Sequence, residues 1–130
     1  MPTIIRTPTR LRAAGGVEKS IFEYLGRMGG EDGMSVARME SPAGWSEPGQ
    51  RPAFREVTLV VSGALRVETE RAVEVLRAGE AIIAEPGDWV RYSTPDEPAE
   101  YLAVCTPAFT PERVNRDYDH GETSTPARPA

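Results

Sequence analysis

The chain has 130 residues, 39% apolar and 27% charged, a balance that predicts one soluble globular domain with a sizeable core. A formal charge of −5 argues against a general nucleic-acid binder; the lone Cys105 excludes an internal disulfide or multi-cysteine zinc site, and the lone His120 a multi-histidine metal centre within one chain. No apolar run approaches the roughly 20 residues of a membrane span, and the N-terminal segment lacks the apolar stretch of a secretory signal, so a cytoplasmic protein without membrane contact is expected.

Residues 1–18 read as a polar N-terminal arm, with Thr3-Ile4-Ile5 as its one candidate for a short edge strand. The segment 19–27, dense in Ile, Phe, Tyr and Leu and too short for a stable helix, predicts a strand, and 34–40 a second one after the loop Gly29-Gly30-Glu31-Asp32-Gly33. Three Pro and two Gly between 41 and 53 predict a long loop. Two strands, 56–61 and 64–69, are expected around a turn at Ser62-Gly63, followed by strands at 72–76, 81–84, 89–93 and 100–105, each bounded by Gly or Pro turns. Thr110-Pro111-Glu112 has the residue order of a helix start, so 111–115 predicts one helical turn. From Asp117 the chain is polar and reads as a disordered tail.

About eight short strands with almost no helix predict a sandwich or barrel. Val57, Leu59 and Val61 put apolar side chains on one face while Val60 puts one on the other. A strand with water on one side alternates more sharply, so a second layer or a second copy is expected over the outer face, and a homodimer follows. Fourteen of the fifteen basic residues are Arg, with Lys19 the sole Lys. Beside so much Ala, Gly and Pro, that reads as the codon bias of a GC-rich bacterial genome rather than as arginine chemistry.

Gly44 opens a segment in which Glu56, six further residues and Gly63 follow, and Gly79 opens a second one with Gly87 seven residues inside it. Over roughly 34–110 this spacing resembles the two motifs of the cupins, single-domain double-stranded β-helix (jelly-roll) proteins. The resemblance implies an all-β cupin barrel at 19–116 between the arm and the tail at 117–130. The departures matter as much. The motif histidines fall at Gln50, Pro52 and Val90, and Glu85 with Pro86 displaces the motif proline, so only Glu56 remains of the usual four ligands. The three-histidine metal centre is therefore absent, no cofactor is implied, and the pattern is similar to metal-free cupins such as the ethanolamine-utilisation cupin.

The motif alignment places Glu56 inside the barrel beside Thr58 and Val60, where an apolar setting raises a carboxyl pKa and suits it to acid–base work or leaves it a relic held by a partner. Alternation puts Tyr92 inside with Val90, as a hydroxyl donor or an ordinary core tyrosine. Gln50 and Trp45 lie on the long loop, to present an amide and a stacking face to a ligand or simply to close the barrel. Tyr101 shares a face with Cys105, Arg38 shares one with Glu40, and inward facing would add Tyr101 and Arg38 to the substrate-binding set. Cys105 reads as an inert thiol and Glu47 as solvated, and no spacing among Glu40, Glu47, Gln50, Glu56 and Cys105 demands a metal. No phosphate loop, dinucleotide fingerprint or nucleophile triad is present.

These residues lead to a metal-independent enzyme acting on a small molecule by proton transfer: an isomerase, epimerase, cyclase or lyase with Glu56 as acid or base and Tyr92 as its helper. The cupin resemblance implies such reactions through related small cupins of bacterial secondary metabolism. Two alternatives stay open at this level: a non-catalytic small-molecule-binding or accessory cupin, and a metallo-cupin with an atypical Glu/Gln ligand set.

Overall fold

A computed structural model describes residues 1–13, 15 and 18–117; the tail from 118 on, His120 included, lies outside the described residues. Among the described residues there are nine strands: β1 (Thr9–Leu11), β2 (Ser20–Leu25), β3 (Ser35–Ser41), β4 (Trp45–Ser46), β5 (Arg55–Thr69), β6 (Val73–Arg77), β7 (Ala81–Ala84), β8 (Val90–Thr94) and β9 (Ala99–Thr106). One helical turn, α1 (Pro111–Val114), follows, with Thr110 as N-cap accepting from the Arg113 backbone N–H and Pro111 at the first position. All neighbouring strands are antiparallel, in the order β1-β2-β3-β9-β5-β8-β4, with β6 and β7 also on β5. Among the described residues no helix is long and apolar enough to cross a membrane.

The expected hairpin at 56–69 is instead one strand of 15 residues. Ser62-Gly63 bends it without reversing it. The register against β9 slips between Val60 and Ser62, and Gly63 takes φ +78 where a side chain would strike the Pro98 carbonyl. The first half of β5 pairs with β9 and β7, the second with β6 and β8, so the strand passes from one sheet layer into the other. The long loop contains the short β4 paired to β8, and the edge strand of the N-terminal arm forms at Thr9–Leu11 rather than at residues 3–5.

The period of two sorts side chains between the barrel interior and its outer surface. Val60, Leu65, Val67, Val90, Tyr92 and Tyr101 turn inward and are nearly fully buried. A second cluster of Phe54, Cys105 and Val114 closes the other end, with Phe54 and Phe109 rings 5.9 Å apart. Burial of these apolar side chains supplies the main favourable term for the fold.

Candidate functional site

Three strands, one loop and the segment entering β2 bring an ionisable cluster into the barrel. The inward positions of β5, β8 and β9 place Glu56, Tyr92 and Cys105 together: the Tyr92 hydroxyl donates to Glu56 Oε1 at 3.2 Å and the Cys105 thiol donates to Oε2 at 3.6 Å. The segment entering β2 contributes Lys19, and the loop ahead of β5 contributes Glu47 and Gln50. These groups line a cavity of about 60 Å³ whose remaining wall mixes polar Glu23, Ser35 and Thr58 with apolar Ile21, Ala37, Met39 and Phe54.

Burial sets the electrostatics. Glu56 is 8% exposed, and its carboxyl is pushed up to about 7, first by loss of water and then by the nearby Glu47 charge. The two hydrogen bonds from Tyr92 and Cys105 and the Lys19 charge pull in the opposite direction. Glu47 is also raised by burial, against the attraction of Lys19, Arg116 and Arg91. The phenols of Tyr92 and Tyr101 and the thiol of Cys105 are all raised by burial, so they stay protonated through neutral pH. Lys19 Nζ lies 4.0 Å from the Trp45 ring centroid and 5.1 Å from that of Tyr101, which places an ammonium on aromatic faces beside two buried carboxylates. Tyr101 in turn shares a 2.9 Å hydrogen bond with Ser41.

Gln50 is 5% exposed and tied by its backbone to Val90 through a pair of 2.9 Å hydrogen bonds. Its side-chain carbonyl oxygen is buried with no hydrogen-bond partner among the described residues.

The structure thus brings Glu56, Tyr92, Gln50 and Tyr101 to one pocket, and it settles that Cys105 faces inward with them. Arg38 is placed elsewhere. Alternation along β3 sends Ser35, Ala37 and Met39 inward and Arg38 outward, where it pairs with Glu40 and lies 4.4 Å from the Phe22 ring centroid. Trp45 is fully buried in the core rather than on the pocket wall, with Lys19 on its face. Glu47 is buried rather than solvated, because β4 holds the loop against β8. Sequence reading missed Lys19 and Glu23. Lys19 immediately precedes β2 and Glu23 lies on it; Lys19, Ile21 and Glu23 face the pocket while Phe22 and Tyr24 face outward, so hydrophobicity alone misreads these faces. The one available signal was that Lys19 is the sole Lys. Among the described residues no group of three or more His, Cys, Asp and Glu is placed to hold a metal ion.

No family model matches the chain. A curated relative, Endoribonuclease YbeY of Myxococcus xanthus (strain DK1622), is 42% identical over 110 residues, 83% of this chain and 36% of the relative. The chain therefore spans about a third of that relative's length. Among solved structures it superposes on the polyketide cyclase RemF from Streptomyces resistomycificus with a TM-score of 0.74 at 18% identity, covering 98% of this chain and 95% of the other. It superposes on an RmlC-like cupin from Shewanella frigidimarina NCIMB 400 with a TM-score of 0.67 at 15% identity (82% and 89% covered). A putative ethanolamine utilization protein Q from Salmonella typhimurium gives 0.62 at 17% identity (79% and 98% covered).

These identities carry the fold and nothing finer. The small-molecule reading drawn from the sequence, in its isomerase, cyclase or lyase form and in both its alternatives, is corrected by the 42%-identical relative, which is named for cleaving RNA. That relative and RemF both bear enzyme names. The glycine spacing, the 15-residue strand shared between layers and the three superpositions agree on one architecture: the chain is folded as a cupin, without the motif histidines.

Proposed function

We propose that the chain serves endoribonucleolytic cleavage of RNA, with the barrel pocket as the proton-transfer site. The observation that carries this reading is the 42% identity to a third of Endoribonuclease YbeY, and the pocket chemistry supports it. Internal cleavage of RNA needs a base for a ribose 2′-hydroxyl, a cation for charge developing on the phosphate, and a proton for the departing 5′-oxygen. Glu56, titrating near 7, takes the 2′-hydroxyl proton as that oxygen attacks phosphorus. Lys19 meets the phosphate charge and returns a proton to the 5′-oxygen as the P–O5′ bond breaks, leaving a 2′,3′-cyclic phosphate. Water then restores both groups. Tyr92 holds the Glu56 carboxylate in place by its hydrogen bond. The cavity of about 60 Å³ admits the reacting sugar edge rather than a whole nucleotide. The chain's net charge of −5 keeps phosphate-backbone affinity small, so recognition is local to the pocket mouth.

The test is incubation of single-stranded RNA with the purified chain, with products resolved by gel and mass. Cleavage leaving cyclic phosphate ends, blocked by a single 2′-deoxy nucleotide and reduced about 10²–10⁴-fold in Glu56→Gln, supports the reading. Intact RNA after prolonged incubation, or cleavage that Glu56→Gln leaves unchanged, refutes it.

A further inference from the structure

A second cavity, of about 230 Å³, adjoins the barrel pocket. Leu11, Glu23 and Phe109 line both, so these three side chains are the partition between them. Beyond the partition the walls are mostly apolar, with Met28 in the turn after β2 and Pro111 at the start of α1 joining Leu11 and Phe109, and Arg27 beside them. Met28 is 68% exposed, an apolar side chain left at the mouth rather than in the core. The Phe109 backbone N–H donates to Ser35 Oγ at 2.9 Å, which pins this wall to β3.

Glu23 is the one ionisable group in the partition. It is 6% exposed. The register of β2 against β3 shifts between Glu23 and Leu25, and Gly26 leaves room for the carboxyl, since a Cβ there would lie 2.4 Å from Glu23 Cδ. The carboxyl has exchanged water for a backbone N–H, that of Met28. Among the described residues it forms no salt bridge. A carboxylate offers about four acceptor positions, so most of its capacity is open to donors in the cavity.

The next step rests on the reading of the barrel pocket as an RNA-cleaving site. A cavity of about 60 Å³ takes the sugar edge alone, so the base on that sugar must lie beside it. The adjoining cavity has the matching chemistry: apolar walls for the ring faces and a carboxylate for N–H groups on the base edge. The carboxylate repels phosphate, which keeps the backbone out of this space. Guanine alone among the four bases offers two neighbouring donors, N1–H and N2–H, on one edge. Adenine and cytosine pair an amino group with a bare ring nitrogen, and the N–H of uracil lies between two carbonyls, so each turns a lone pair toward the carboxylate. We propose that this cavity is a guanine subsite, with Glu23 accepting from N1–H and N2–H of the base whose ribose enters the barrel pocket, so that RNA is cut on the 3′ side of guanosine.

Short oligonucleotides carrying a single ribonucleotide among 2′-deoxy neighbours test the subsite, the ribonucleotide being guanosine, inosine, adenosine, cytidine or uridine. Guanosine should be cut fastest, and inosine, which lacks the 2-amino group, about 10–100-fold more slowly. In Glu23→Gln the guanosine-to-inosine ratio should fall toward one, a ratio that a general loss of activity does not move. Free guanosine titrated into the isotope-labelled chain should shift the Met28 amide resonance, and adenosine should not. Equal cutting after all four bases, or a guanosine preference unchanged in Glu23→Gln, overturns the subsite and leaves the cleavage reading standing. Intact RNA sinks the cleavage reading instead, and the titration then decides the subsite: no shift at Met28, or the same shift with adenosine, overturns it.

Discussion

Burying Glu56 should make folding stability depend on pH in a direction opposite to that of an ordinary ion-paired carboxylate. The Glu56 carboxyl titrates near 7 in the folded chain and near 4.5 when exposed. Between those two values the folded state holds a proton that the unfolded state has released. Stability therefore falls as pH rises through this window, and it is flat on either side as far as Glu56 is concerned. An interval of this width corresponds to about 3 kcal/mol, a large part of the roughly 5–15 kcal/mol that holds a domain together. Urea unfolding followed by tryptophan fluorescence at pH 5, 6, 7 and 8 measures it, in the wild type and in Glu56→Gln. Glutamine keeps the shape and the Tyr92 contact but carries no charge at any pH. Glu23, also raised by burial, is present in both proteins and cancels in the difference, whereas the difference includes the mutual repulsion of Glu56 and Glu47. The variant should gain on the wild type from pH 5 to pH 8 and be the more stable protein at pH 8. Parallel stability curves for the two proteins would refute the buried-carboxylate account.

Three further perturbations probe other parts of the same argument. Gln50→Leu removes a buried carbonyl that has no donor among the described residues and should raise thermal stability, with about 1–3 kcal/mol recovered; a loss of stability would mean that the side chain serves the fold. Gly63→Ala forces a side chain into the Pro98 carbonyl at φ +78 and should cost several kcal/mol by chemical denaturation, an expectation that a wild-type-like midpoint would defeat. Cys105 is 3% exposed with its thiol raised by burial, so iodoacetamide at pH 8 should label it only after denaturation; rapid labelling of the folded chain would contradict the inward placement.

The fold was legible because its punctuation is strong: Gly79 and Gly87 close tight turns at φ +87 and +90, and short alternating runs between such residues predict strands closely. Ser62-Gly63 misled because a glycine at positive φ serves a bend inside a strand as well as a reversal, and only the pairing of β5 with both β9 and β8 distinguishes the two. At the site, Glu56, Tyr92 and Gln50 were reachable from motif spacing and parity, whereas the facing of Tyr101 is fixed only by the register of β9 against β5. Arg38 was not reachable, since its facing depends on the register of β3 against β9, a long-range property. Lys19 and Glu23 escaped because the run from Lys19 through β2 turns these residues toward a polar cavity and its aromatic ones outward, so hydrophobicity alone misreads its faces.

The passage of β5 through both layers has a mechanical consequence. A strand hydrogen-bonded to β9 and β7 at one end and to β6 and β8 at the other acts as a rivet. Neither layer can slide or hinge on its neighbour without breaking backbone ladders on β5 itself. The interior volume is then fixed by covalent continuity, and a substrate meets a mould of set dimensions rather than a closing jaw. A route in would displace peripheral pieces that line the cavity: the three-residue β1, whose strand pairing among the described residues is with β2, or the segment carrying Phe109 beside α1. Hydrogen exchange should divide along the same line, with the amides of β5 and β9 the last to open and those of β1 among the first.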